Sequence, residues 1–175
     1  MAEWTDVFII GGGPAGLAAA IAARKKGFEV IVADASTPPI DKACGEGLMP
    51  DCVEALQALG VTIQPTDGYL LRGIRFLDSE TSAEAYFPAG PGFGVRRTVL
   101  HQKMAAYASS CGARLLWQTR VSGLCADGVL VNGSPVRTRW IIGADGKPTH
   151  KPKPHTDGIL RGTLGVNITM RFTIH

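Results

Sequence analysis

Thr5 to Asp34, TDVFIIGGGPAGLAAAIAARKKGFEVIVAD, limits the possible folds more than any other stretch of the chain. Val7 to Ile10 is a short apolar run of strand formers, too brief for a helix. Gly11, Gly13 and Gly16 follow in the spacing G-x-G-x-x-G, with an extra Gly12 and with Pro14 where a helix would begin. Ala15 to Lys26 reads as an Ala- and Leu-rich helix that ends in basic residues, with Gly27 placed to stop it. A second apolar strand, Val30 to Ala33, ends on Asp34. A lone G-x-G-x-x-G says little, but strand, glycines, helix, strand and terminal acid in this order predict a dinucleotide-binding βαβ unit.

Each part has a physical reason. Gly11 allows a tight turn off the strand, Gly13 lets a pyrophosphate approach the backbone without meeting a Cβ, and Gly16 lets the helix pack closely on the sheet. The helix N-terminus, opened by Pro14 and Ala15, offers free N–H groups and a partial positive charge to phosphates. Asp34, 18 residues after Gly16, stands where a carboxylate accepts hydrogen bonds from ribose hydroxyls. It would repel a 2′-phosphate, so FAD or NAD fits better than NADP.

A chain of 175 residues, 45% of them hydrophobic and 19% charged, can bury a core of one domain or slightly more. No apolar run approaches the roughly 18–20 residues of a membrane span, and no basic segment precedes Leu17 to Ala23 as in a signal peptide. The expectation is a cytoplasmic protein beginning directly with its first strand. Cys44, Cys52, Cys111 and Cys125 form no C-x-x-C pair and have no metal-ligand spacing with the histidines, so no metal site is predicted. The net charge of +3 is unevenly placed: residues 1–146 hold 13 Lys/Arg against 14 Asp/Glu, which does not support a nucleic-acid-binding body.

Past Asp34, Ala35 to Gly47 is expected to be loop, with Cys44, Gly45 and Glu46 able to approach a ligand. Asp51 to Leu59 predicts a helix stopped by Gly60, Leu70 to Leu77 and Ala83 to Phe87 predict strands, and Pro88 to Gly94 predicts a loop. Thr98 is expected to cap a helix ending near Cys111-Gly112, followed by a strand, Arg114 to Gln118. Arg96 and Arg97 lie just ahead of that helix, where guanidiniums can meet phosphate or ribityl oxygens, or form a solvated basic pair. Thr119 to Ala126, Gly128 to Val131 and Thr138 to Ile142 read as a small antiparallel layer with turns at Asp127-Gly128 and Asn132-Gly133. The last strand runs into Gly143-Ala144-Asp145-Gly146, a carboxylate and glycines at a sheet edge.

Together GGGPAG with Asp34, KACGEGLMP, RRTVLHQKM and IIGADG resemble the FAD-dependent oxidoreductases of the para-hydroxybenzoate hydroxylase and geranylgeranyl reductase superfamily, over residues 5–146. The resemblance implies a Rossmann-like α/β FAD/NAD(P)-binding fold with a parallel central sheet, helices and a small antiparallel β layer. It implies FAD as cofactor, NAD(P)H as a possible electron donor, a small-molecule substrate, and reductase or monooxygenase chemistry. Gly11, Gly13, Pro14, Ala15, Gly16, Asp34 and Ala35 would hold the ADP half. Arg97 would contact the ribityl-phosphate side, the Val121 backbone the adenine, Asp145 the flavin, and Cys44 and Gly45 would lie in the loop lining its ring. The sequence assigns no catalytic residue and no oligomeric state.

Two departures set further expectations. His101 stands where the family usually has an acid, and the Asp-Gly motif runs on to Lys147-Pro148-Thr149-His150 rather than to Ser and Arg. A third motif, Gly-Asp at a helix start, and a substrate-binding sheet are missing. Residues 1–146 are therefore expected to be a truncated FAD-binding domain, and 147–175 an atypical basic tail in which Leu164 to Ile174 can form strands. A nucleotide-binding remnant without catalysis, or an NAD-binding Rossmann domain, are the alternatives.

Overall fold

The computed structural model describes residues 3–77 and 79–146, together with the strand backbones at 159–164 and 166–172. The expectation for Lys147-Pro148-Thr149-His150 and the rest of the tail beyond these strands lies outside the described residues.

The first unit forms as its sequence dictates: β1 (Glu3–Ile10), α1 (Pro14–Lys25) and β2 (Val30–Ala33). Pro14 supplies a preset φ at the first helical position, and Gly27, at φ +86°, turns the chain back toward the sheet. Next come a two-residue strand β3 (Gly47–Leu48), α2 (Pro50–Leu59), a 3-10 turn at Pro65–Asp67, β4 (Gly68–Leu71), β5 (Gly73–Leu77), β6 (Ser82–Tyr86) and β7 (Gly92–Val95). The helix α3 (Arg97–Ser110) leads to β8 (Arg114–Leu116), β9 (Val121–Cys125), β10 (Gly128–Val131) and β11 (Ser134–Gly143). β12 (Ile159–Leu164) and β13 (Val166–Phe172) follow in the tail.

Three local expectations are corrected. Leu70 to Leu77 is not one strand: it breaks at Arg72, and β4 pairs with β7 while β5 pairs with β6 in a separate hairpin. Part of the expected loop at Pro88 to Gly94 is strand, because Gly92, and Gly68 on the facing strand β4, let neighbouring backbones come close; a Cβ on Gly92 would sit 2.4 Å from the Leu48 carbonyl oxygen. Thr98 does not cap α3. Arg96 occupies that position without a side-chain cap bond.

The main sheet runs in the order β12-β13-β11-β1-β2-β8. β11, β1, β2 and β8 are mutually parallel, whereas β13 pairs antiparallel with the outer edge of β11. β9 and β10 form an antiparallel meander with the first half of β11. Alternation along β1 then divides the core. Val7 and Ile9 face α1 with Leu17, Ala20 and Ile21, while Phe8 faces the meander with Ile31, Ala33, Val129 and Val136. Phe8, Ile9, Leu17 and Ile21 are wholly buried, each worth about 1.5–3 kcal/mol of transfer free energy. The β5–β6 hairpin is thinner, with Phe76, Leu77 and Tyr86 all more than two-thirds exposed.

Candidate dinucleotide site

Register brings the site together. Ile10 stands opposite Ala33 of β2 and Gly143 of β11, so three parallel strands end at one edge. There the glycine turn, Asp34 and the Ala144–Gly146 turn meet.

Gly11 donates its N–H to the Ala33 carbonyl at 2.8 Å and adopts φ +108°, a conformation that favours glycine. A Cβ there would lie 2.6 Å from the Ala144 carbonyl and 2.7 Å from the Asp145 nitrogen, so Asp145 forms one wall of the turn through its backbone. The helix is equally close at Gly16, where a Cβ would fall 1.8 Å from the Gly11 carbonyl oxygen. Between them Gly13 is the N-cap of α1, with no side-chain cap and no acid in the first turn. Its Cβ position is nearly open, the nearest atom being Arg97 Nη2 at 3.7 Å.

Asp34 is fixed by two backbone donors. Gly12 N–H donates to its Oδ2 at 2.7 Å and Ser36 N–H to its Oδ1 at 2.8 Å. Each oxygen keeps an acceptor position for a further donor. Ala35, next to it, is exposed.

Arg97 opens α3. Its backbone N–H donates to Glu46 Oε1 at 2.9 Å, and the Val95 N–H donates to the Glu46 carbonyl at 2.8 Å. Glu46 is therefore a bracket for the start of α3. Arg97 Nε is buried and has no hydrogen-bond partner among the described residues, as is true of His101 Nδ1. His101 is fully buried, with Nε2 2.9 Å from the Gly12 carbonyl oxygen and its ring 5.5 Å from that of Trp117. Burial, with the Arg97 charge adding to it, holds the imidazole below its usual pKa, against the opposing pull of the Gly12 hydrogen bond and Asp34.

Not every residue expected at the site joins this corner. Cys44 and Gly45 are exposed, and a Cβ on Gly45 would meet nothing within 4 Å. Lys42 of the same loop, also exposed, comes near the corner, its Nζ 3.4 Å from the Cβ position of Gly146. Val121 is half-buried in β9 against the Phe8–Ile31–Ala33 cluster, on the sheet face away from α1.

The FAD binding domain family matches residues 4–153. The chain belongs to that family. This FAD-binding domain is 36% identical over 153 residues to a menaquinone reductase of Mycolicibacterium smegmatis, covering 81% of the chain and 37% of the relative. A digeranylgeranylglycerophospholipid reductase of Methanosarcina mazei is 28% identical over 160 residues, covering 83% of the chain and 39% of the relative. Among solved structures, a geranylgeranyl bacteriochlorophyll reductase-like protein from Thermoplasma acidophilum superposes with a TM-score of 0.71 at 24% identity, over 83% of this chain and 40% of that one. The myxobacterial chondrochloren halogenase, an FAD-dependent enzyme, gives 0.76 at 22%, over 85% and 38%. At such identities these two establish the fold alone. The FAD-binding domain thus has reductase- and monooxygenase-type homologues, and it spans 32–39% of their length. Among its described residues no helix is long and apolar enough to cross a membrane.

Sequence reasoning missed the roles of Gly12, Trp117 and Glu46. Gly12 carried a signal, being the middle of three consecutive glycines: a Cβ there would lie 2.4 Å from Trp117 Cζ3. Glu46 carried one too, a carboxylate between two glycines, and it takes φ +53° to reach α3.

Proposed function

We propose that this chain grips FAD by its ADP half and serves as the cofactor-binding part of an oxidoreductase. The observation that carries this reading is the guanidinium of Arg97 standing beside Gly13, with an unpartnered Nε, at a helix N-terminus that holds no acid of its own. A dianionic pyrophosphate matches that corner in charge and in hydrogen-bond demand.

In this reading the amides of Gly13, Ala15 and Gly16 and the charge of Arg97 take the phosphates, with Pro14 setting the first turn. The free lone pairs of Asp34 accept the ribose hydroxyls, beside Ala35, and the Val121 backbone serves the adenine. Gly11 and Asp145 shape the wall between the phosphates and the flavin, and Cys44 and Gly45 belong to a loop on the ring side. Bound flavin supplies the two-electron chemistry; the chain binds, orients and shields it. NAD(P)H is the proposed donor, the substrate is a small molecule, residues 1–146 are the FAD-binding unit, and the protein works in the cytoplasm. Two mycobacterial menaquinone reductases match at 35–36% identity and a rifampicin monooxygenase at 29%, which favours the reductase type.

The test is a titration of purified chain with FAD, followed by flavin fluorescence, with ADP as competitor. Saturation at one FAD per chain, competed by ADP and weakened by Arg97→Ala, is expected. A folded chain that takes up no adenine nucleotide refutes the reading. A chain that binds FAD yet passes no electrons from NAD(P)H would be a nucleotide-binding module without turnover, a second reading that the partial coverage of its relatives keeps in view.

A further inference from the structure

His101 and Gly12 are given no direct contact with the dinucleotide in that reading, yet they touch each other. A carbonyl oxygen can only accept, so the 2.9 Å contact between His101 Nε2 and the Gly12 oxygen places the hydrogen on Nε2. Nδ1, on the other edge of the ring, is buried and has no partner among the described residues, so a hydrogen there would have no acceptor. The ring is thus neutral, with Nδ1 bare. Trp117 stands against the ring at a tilt of 54° and also closes over Gly12.

The consequence lies in peptide geometry. The Gly12–Gly13 peptide is planar and trans, so its C=O and N–H point to opposite sides. Holding the Gly12 carbonyl on His101 turns the Gly13 N–H the other way, and that N–H has no acceptor among the described residues. Glycines on both sides would otherwise let this peptide rotate freely, presenting its oxygen where its N–H now stands.

We propose that His101 is a positioning residue of the dinucleotide site: its Nε2–H pins the Gly12–Gly13 peptide so that the Gly13 N–H faces the phosphates. The proposal rests on the phosphate reading of the preceding subsection and adds a device to it. A side chain from α3, far along the chain, sets the orientation of the glycine-turn amide nearest the helix, whereas those of Gly11 and Gly12 are already taken by Ala33 and Asp34.

Three variants of the full chain separate positioning from packing. His101→Gln sets an amide N–H near the place of Nε2, His101→Asn sets one near the place of Nδ1, and His101→Leu donates nothing. Dissociation constants for FAD and for ADP, with melting temperatures of the nucleotide-free proteins, are the readouts. His101→Gln should bind both ligands within about threefold of wild type, while Asn and Leu should lose about tenfold, the scale of one neutral hydrogen bond. FAD and ADP should lose alike, since the Gly13 amide meets the half they share. Equal affinity in the Gln and Asn variants, or losses that follow melting temperature alone, would overturn the role of His101. If the variants do not fold, nitrogen-15 shifts of histidine in the wild-type chain at pH 7 decide: a hydrogen on Nε2 alone supports the proposal, and one on Nδ1 or on both sinks it. A folded wild-type chain blind to both nucleotides removes the site reading and this proposal together, whereas a failed Gln–Asn contrast removes only this one.

Discussion

Two helices start at the same corner of the molecule, and their N-termini are finished in opposite ways. α1 begins on Gly13 and Pro14 with no side-chain cap and no acid in its first turn. α3 also lacks a cap of its own on Arg96, but the carboxylate of Glu46, 51 residues away, takes the Arg97 amide. A helix N-terminus carries roughly half a positive charge, so the end that already holds a carboxylate has little left for an anion. The open end keeps all of it. The filled helix contributes differently, carrying the Arg97 guanidinium across to the open one.

The sharpest way to break this contrast is to push α1 off the sheet. Gly16→Ala would drive a methyl into the Gly11 carbonyl, and a loss of at least about 3 kcal/mol of stability with abolished nucleotide binding is expected. Urea unfolding checks it; a variant with wild-type stability would show that the helix can slide. Arg97→Ala comes next and should separate function from fold. Nucleotide affinity should fall by about 10- to 100-fold, the range for hydrogen bonds to charged groups, while the melting temperature stays near wild type because Nε has no partner among the described residues. Calorimetric titration with ADP reads the first quantity and thermal unfolding the second.

A smaller effect sharpens the comparison from the α3 side. Glu46→Gln keeps an acceptor and removes the charge, and about 0.3–1 kcal/mol of stability should go with it in low salt. If 0.5 M salt leaves the difference unchanged, the bracket is not electrostatic. The smallest effect concerns pH. The folded-state pKa of His101 is lowered, so the unfolded chain binds more protons as pH falls below the ordinary imidazole value near 6.5. The stability it contributes is complete above that value and is lost as pH drops toward the folded pKa. Urea midpoints at pH 7.5, 6.5 and 5.5 should fall more steeply for wild type than for His101→Gln; parallel curves would contradict the burial argument.

The α1 end was legible from the sequence because everything that makes it is local. Three glycines, a proline and the strand spacing of a single βαβ unit define it, and β2 appears at Val30–Ala33 as expected. The α3 end was not legible. Its bracket comes from a loop brought near by β3 pairing with β7, and strands of two and four residues leave little periodicity to read. The break at Arg72 escaped for a related reason: Leu70 to Leu77, apolar residues broken only by Arg72-Gly73 and Arg75, does not say that its two halves belong to different sheets. His101 stood out in the sequence as a departure from an acidic position. Only the structure gives it a partner, since a contact 89 residues apart leaves no pattern along the chain.

Gly11 sits flush against Ala144 and Asp145, and this fixes when the glycine turn can exist during synthesis. The first βαβ unit can zip early from short-range contacts, yet the wall of its turn arrives only with residues that leave the ribosome far later. Closing so long a loop is slow, although each doubling of its length adds only about 0.6 kcal/mol. A nascent chain stalled before β11 would have the right amides and nothing to shape them. Once the last parallel strand has docked, any nucleotide held there clamps beginning and end together, so occupancy would stabilise the sheet as a whole.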